Sequence, residues 1–218
     1  MDWAQFISSI LIAVFAIVGT VIAIRRRKKS GPEKREEFYQ HLKGLGIQAS
    51  LVERNDQREK IGISRGTGQK SEGFIMLGNS NIDFINIISI ASQYGVNYFL
   101  DYLIESPRLE GKKSWGKIRL KKKKDRLFRG KVVGIEWRGA SPLTQRLNFD
   151  YRLEGMLLAT SFKGNIELVL EPKWKYTRIR TQYFLLTRDL FTAIDLIARD
   201  IRLEYGRRRS TAHVARDR

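Results

Sequence analysis

The chain has 218 residues, no cysteine, two histidines and a net charge of +18. The absence of cysteine excludes disulfides, thiolate metal sites, iron–sulfur clusters and thiol nucleophiles. His41 and His213 are far apart in the sequence, which makes a zinc site improbable. We therefore predict no catalytic, cofactor-binding or metal-binding residue and no cofactor.

The basic excess extends over the whole chain, with 41 Lys and Arg residues against 23 Asp and Glu residues. Residues 1–29 contribute +4 of the net charge, and residues 30–218 contribute the other +14. Such an excess indicates a polyanionic partner, either an anionic lipid surface or nucleic acid. Hydrophobic residues make up 42% of the chain, which is enough for a folded core.

Phe6–Ile24 contains no charged residue. A helix over these nineteen residues would be about 28 Å long, close to the thickness of about 30 Å of the hydrocarbon core. Cations follow the segment rather than precede it, which disfavours a cleaved signal peptide. We predict a single-pass signal anchor at 6–24, an extracytoplasmic N-terminus at 1–5 and a cytoplasmic domain beyond. The basic juxtamembrane linker, residues 25–32, contains Arg25, Arg26, Arg27, Lys28 and Lys29.

Residues 33–206 are predicted to form one cytoplasmic domain. Its first helix begins near Pro32 and ends at Gly44 or Gly46. Short strands are predicted around 47–51 and 61–63, with a further strand over Gly73–Leu77. The pattern over 82–90 suits a strand or a helix, and the spacing of Tyr94, Tyr98 and Tyr102 predicts a helix over Ser92–Glu105.

The second half of the domain alternates more regularly. Apolar alternation predicts strands around 118–120, 133–137, 166–170 and 174–185. Asp150 is placed to cap a short helix, and Thr187 is placed to cap the last one, which ends before Gly206. A strand–strand–helix order recurs at 115–161 and 165–205. We predict an α+β fold with a mainly antiparallel sheet, followed by a basic disordered tail at 207–218.

Two motifs that suggest chemistry have simpler interpretations. Gly66–Ser71 resembles a phosphate-binding loop only in part, because Gln69 stands where the pattern needs glycine and a strand follows. The acid pairs Asp101/Glu105 and Asp150/Glu154 are four residues apart on presumed helices. In a chain with this basic excess, we expect them to form surface salt bridges and a helix cap.

The densest basic segment is 108–126, with ten cations against Glu110 and Asp125. Beside an anionic leaflet, each such cation gains about 1 kcal/mol. We expect this segment and the juxtamembrane cations to contact the membrane surface. The predicted contact residues of the segment are Lys121, Lys122, Lys123 and Lys124.

A second basic surface is predicted on the strand that begins at Trp174. Alternation places Trp174, Tyr176, Arg178 and Arg180 on one side, where aromatic rings could stack bases and arginines could bind phosphates.

The sequence thus favours a membrane-anchored, non-catalytic binding or scaffold module for anionic lipid, with an acidic protein partner or homo-oligomer also considered. A membrane-tethered nucleic-acid-binding protein is the first alternative. An enzyme without a local motif is the second.

Overall fold

The computed structural model describes residues 30–53, 57–63, 67–109, 116–125, 131–160, 162 and 164–206. Within these residues, four α-helices and eight strands form an α+β fold, as predicted. The helices are α1 (Gly31–Gly44), α2 (Pro142–Phe149), α3 (Tyr151–Ala159) and α4 (Arg188–Tyr205). The strands are β1 (Ala49–Leu51), β2 (Gln69–Leu77), β3 (Phe84–Ser92), β4 (Gly95–Glu105), β5 (Lys117–Lys124), β6 (Val132–Arg138), β7 (Glu167–Glu171) and β8 (Tyr176–Gln182).

All eight strands belong to one sheet with the order β1-β2-β3-β4-β8-β7-β5-β6. Every neighbouring pair is antiparallel, which confirms the predicted sheet type. The meander β1–β4 forms one half, and β5–β8 form the other half with β8 beside β4. The two predicted strand–strand–helix units are present as β5-β6 with α2 and α3, and as β7-β8 with α4.

The main core lies between one face of the sheet and the four helices. Tyr102 and Ile179 are neighbours on β4 and β8, and both are fully buried beneath Ile194 and Ile197 of α4. The apolar stripe of α4 is the one predicted from its spacing. Asp150 caps α3 by accepting a hydrogen bond from the Leu153 backbone N–H at 2.9 Å.

The opposite face carries no helix longer than one turn in the described part of the chain. A 3₁₀ turn at Gln57–Lys60 places Ile61 on this face, where it packs with Phe74 and Leu103 in a small second cluster. The rest of this face, called here the helix-free face, bears the charged side chains of β4 to β8. Its chemistry therefore differs from that of the helix-covered face.

The prediction of a helix over Ser92–Glu105 is wrong, because this segment is the second strand of a β3–β4 hairpin. The two strands are joined by a turn in which Gly95 has a φ of +120°. Tyr98, Leu100, Tyr102 and Ile104 alternate onto the helix-covered face, a period of two that also fits the sequence. Pairing on both edges, by β3 and β8, decides between the two periods.

The predicted strand at 61–63 is also wrong, since Ile61 and Ile63 follow the 3₁₀ turn. Helix α2 was not predicted. It begins with Pro142 after Ser141, whose hydroxyl accepts a hydrogen bond from the Leu143 N–H. The ambiguous segment 82–90 is mostly strand β3.

No helix within the described part of the chain is long and apolar enough to cross a membrane. The longest, α4, has 18 residues and one strongly polar side. This finding contradicts the predicted single-pass membrane protein. It also contradicts the signal-anchor assignment and the predicted topology, in which the N-terminus is outside and the domain is cytoplasmic. The segment Phe6–Ile24 lies outside the described residues, as do 1–5, Arg25–Lys29 and the tail 207–218.

Candidate functional site

A row of polar side chains crosses six strands of the helix-free face. Each member is the direct cross-strand neighbour of the next, so their side chains share one side of the sheet. The row begins beneath the surface at β3 and ends exposed at the edge strand β6. From β3 to β6 it consists of Asn86, Asp101, Arg180, Glu167, Arg119 and Arg138.

The buried end of the row is centred on Asp101, which is fully buried. Arg180 donates two hydrogen bonds of 2.7 Å to its two carboxylate oxygens, and Arg178 donates one of 3.3 Å. Arg178 also donates to Glu171 at 3.0 Å. Burial by itself lowers the pKa of Arg180, but the hydrogen bonds and charge of Asp101 raise it overall. Both arginines are already paired with carboxylates of the protein.

The turn at Gly62 covers Arg178. A Cβ atom at this position would lie 2.5 Å from Arg178 Nε, and the φ of +72° favours glycine as well. Arg178 is only 6% exposed as a result of this packing and its two carboxylate partners. A phosphate could not reach this guanidinium without displacing the turn.

The aromatic residues of the predicted nucleic-acid face are also held by contacts within the protein. Trp174 lies in a 3₁₀ turn, and both Trp174 and Tyr176 pack against the Ile61–Phe74–Leu103 cluster. Burial raises the pKa of Tyr176, with Glu105 and Asp83 adding to this. The alternation placed Tyr176, Arg178 and Arg180 together correctly, but their side chains hold the protein together instead of facing solvent.

The exposed end of the row lies on β5, β6 and β7. Lys117 and Arg119 share the carboxylate of Glu167 at 2.9 and 3.0 Å, and Arg138 pairs with Glu136 at 2.9 Å. Partial burial raises the pKa of Glu167, but the hydrogen bonds from the two cations outweigh it and lower the pKa overall. Each of these cations remains more than half exposed.

Lys121 and Lys123 continue the same side of β5 and are exposed. Among the described residues, neither has a carboxylate oxygen within 4.0 Å of its ammonium group. We call Lys117, Arg119, Lys121 and Lys123 the cationic strip. Successive members are about 6.8 Å apart along the strand, so the strip is about 20 Å long.

Lys122 and Lys124 do not belong to the strip. Lys122 faces the helix-covered side, donates a hydrogen bond to the Phe162 carbonyl and lies 4.9 Å from the centre of the Phe162 ring. Burial lowers its pKa, and Lys124 adds to the effect. Lys124 is exposed at the end of β5, beside Val132. The four lysines predicted as one contact surface are therefore divided between the two sides of the sheet.

The remaining candidate motifs have structural explanations. Lys70 and Ser71 lie within strand β2 and not at a helix N-terminus, which excludes a phosphate-binding loop. Asp150 caps α3 and pairs with Arg199 at 3.1 Å. Glu154 accepts a hydrogen bond from the Ile135 backbone N–H at 3.3 Å. In the part of the chain with described coordinates, no three His, Asp or Glu side chains are grouped to hold a metal ion.

The acids that determine which cations are free could not be assigned to partners from the sequence. Asp101 is 77 residues from Arg178, and Glu167 is 48 residues from Arg119. The alternation of Phe99, Asp101 and Leu103 could have placed Asp101 on one side of a strand. This alternation was not used, because the segment was predicted to be a helix.

Comparison with known proteins identifies no relative of this chain. No protein-family model matches the sequence, and neither the curated proteins nor the solved structures give a match. The functional argument consequently depends on the helix-free face itself.

Proposed function

We propose that the protein is a non-catalytic binding module whose cationic strip engages a membrane surface rich in anionic phospholipid. The observation that carries this proposal is the exposure of Lys121 and Lys123 on the helix-free face, with no carboxylate oxygen of the described residues within 4.0 Å of either ammonium group. Glu136 lies opposite Lys121 across the strand pair and interacts with both lysines at longer range, but its ion pair is with Arg138. At the β4–β8 end of the helix-free face the arginines are neutralised by carboxylates, so the positive charge available to a partner is concentrated on β5 and β6.

The magnitude of the interaction suits a reversible contact. Each lysine near an anionic leaflet contributes about 1 kcal/mol, and the attraction falls off over a Debye length of about 8–10 Å. Lys117 and Arg119 contribute less, because Glu167 partly neutralises both. Lys121 and Lys123 would therefore account for at most about a tenfold to thirtyfold change in membrane partition, because Glu136 offsets part of their charge.

Two features favour lipid over single-stranded nucleic acid. Trp174 and Tyr176, the two aromatic residues of the predicted nucleic-acid face, pack in a hydrophobic cluster, and stacking normally supplies much of the affinity for single strands. At the start of β6, where Val132 lies opposite Lys124 just beyond the end of the strip, Val132 and Val133 are 41% and 61% exposed. Exposed aliphatic side chains next to lysines suit the boundary between headgroups and acyl chains.

Co-sedimentation of the full chain with vesicles tests the proposal. Vesicles of phosphatidylcholine mixed with phosphatidylserine should bind more protein than vesicles of phosphatidylcholine alone, and added salt should reduce the difference. Any contribution from the apolar sequence at 6–24 is common to both vesicle types. The doubly substituted Lys121→Gln/Lys123→Gln chain should lose most of the difference.

Arg146→Gln/Arg152→Gln is the matched control, since it removes the same charge from exposed positions on α2 and α3. It should retain the preference for anionic vesicles. Equal losses in the two variants would show that net charge alone drives binding and would overturn the assignment to the strip. Preference for single-stranded RNA over anionic vesicles, lost on Tyr176→Ala, would instead support the nucleic-acid alternative.

A further inference from the structure

A cleft of about 710 Å³ lies where the β2–β3 connection, the turn after β4 and the end of α4 meet. This volume falls within the range of about 300–1,000 Å³ typical of small-molecule sites. Its lining shares no residue with the cationic strip. The residues that matter for its chemistry are Asn79, Asn81, Arg108, Arg199 and Arg202.

Two of the arginines lie three residues apart on α4 and thus share one side of the helix. Arg202 donates to the Asn81 carbonyl at 2.7 Å and to Asp83 at 2.6 Å. Arg199 donates to Asp150 at 3.1 Å and to Asp200 at 3.3 Å. These contacts fix the direction of both guanidiniums at the wall of the cleft.

The same contacts leave donors available. A guanidinium has five N–H donors, and each of these two arginines uses only some of them. The Nε of Arg199 is enclosed by protein atoms, so the donors that a ligand can reach are the terminal N–H groups that the acids do not use.

Arg108 supplies a charge that no carboxylate of the described residues neutralises in an ion pair. It lies half-buried in the 3₁₀ turn after β4, and no carboxylate pairs with it among the described residues. The acids that hold Arg199 and Arg202 offset much of the charge of those two, and Glu105 is the one acid among the described residues of the lining. Arg108 therefore sets the affinity for an anion, while the other two arginines supply directed donors.

We propose that this cleft binds a small anion that carries phosphate or polyphosphate oxygens, held by Arg108 together with the free donors of Arg199 and Arg202. Guanidiniums suit such ligands because their planar N–H groups match the spacing of phosphate oxygens. The inference is independent of the proposed lipid contact, since the two sites have no residue in common.

Isothermal titration of the full chain with inorganic pyrophosphate at low salt tests the cleft. We expect saturable binding at one site, and at least about tenfold weaker binding by Arg108→Gln, which removes the unneutralised charge. Arg152→Gln, an exposed arginine on α3, is the control and should bind as the unchanged chain does. Circular dichroism establishes that both variants are folded.

The outcomes are distinct from those of the vesicle experiment. Lys121→Gln/Lys123→Gln should bind pyrophosphate normally, and Arg108→Gln should keep its preference for anionic vesicles. Absence of saturable binding up to about 10 mM pyrophosphate, a range that covers even weak small-ligand sites, would overturn the cleft proposal. Equal affinity of Arg108→Gln and the unchanged chain would overturn it too.

Discussion

The two ends of the helix-free face use cationic residues for opposite purposes. At the β4–β8 end, Arg178 and Arg180 are largely buried and paired with Asp101, whereas on β5 Lys121 and Lys123 are exposed and have no carboxylate oxygen within 4.0 Å in the described part of the chain. The difference teaches that a count of cations does not give the charge available to a partner. The position of the acids decides which cations stabilise the fold and which are free to bind.

Replacing Asp101 should have the largest effect on this comparison. Asp101→Ala leaves two largely buried guanidiniums without their shared carboxylate, and breaking a buried pair costs about 3–5 kcal/mol. Urea unfolding of the full chain measures the loss. Glu105→Ala, four residues along the same strand but exposed, should change stability by no more than about 0.5 kcal/mol. Similar small losses in both variants would contradict the structural role given to the buried end.

Closing the space beside Arg178 should have the next largest effect. Gly62→Ala places a Cβ against Arg178 Nε at a positive φ, and we expect a loss of about 1–3 kcal/mol. Gly44→Ala is the matched control, because a Cβ there meets nothing within 4 Å and the site lies at the end of α1. Thermal unfolding distinguishes the two, and a Gly62→Ala chain as stable as the unchanged one would show that the turn does not cover Arg178 tightly.

Glu167, in the middle of the row, predicts that the stability of the fold depends on pH. The pKa of Glu167 is lowered in the folded protein, so its contribution to stability is present above the ordinary carboxyl pKa of about 4.3 and is lost as the pH falls through the lower folded value. The stability difference between the unchanged chain and Glu167→Gln should be under about 1 kcal/mol near neutral pH, since the pair is partly exposed. It should shrink below about pH 4, as measured by urea unfolding. A difference that grows on acidification has the wrong sign for this pair.

The features predicted correctly from the sequence are those that depend on local sequence patterns. The stripe of Leu190, Ile194, Ile197 and Ile201 is long, regular and capped by Thr187, so α4 was found with its correct face. Asp150 was identified as a cap for the same reason. The α+β class followed from hairpin-like pairs of strands separated by helices.

What the sequence did not predict depends on contacts between distant segments. β4 has a helical and a strand period at once, and only pairing with β3 and β8 selects the strand. The partners of the candidate site residues depend on such contacts as well. Lys121 and Lys122 look equivalent in sequence, but Lys122 is held by the Phe162 carbonyl, and Arg178 is neutralised by an acid 77 residues away.

The smallest expected effect concerns the free end of the row. Lys121 and Lys123 repel each other along one side of β5 but attract Glu136 across the strand pair, so neutralising both should change stability by no more than a few tenths of a kcal/mol. Any change should be larger at about 10 mM salt, where the Debye length is about 30 Å, than at about 1 M salt, where it is about 3 Å. Arg180→Gln should behave in the opposite way, with a loss of stability that salt barely alters, because its pair with Asp101 is shielded from solvent. Urea unfolding of both variants at the two salt concentrations makes the comparison direct. Loss of stability in Lys121→Gln/Lys123→Gln would mean that these lysines support the fold as the buried arginines do, and the free charge assigned to this end of the sheet would have to be sought elsewhere.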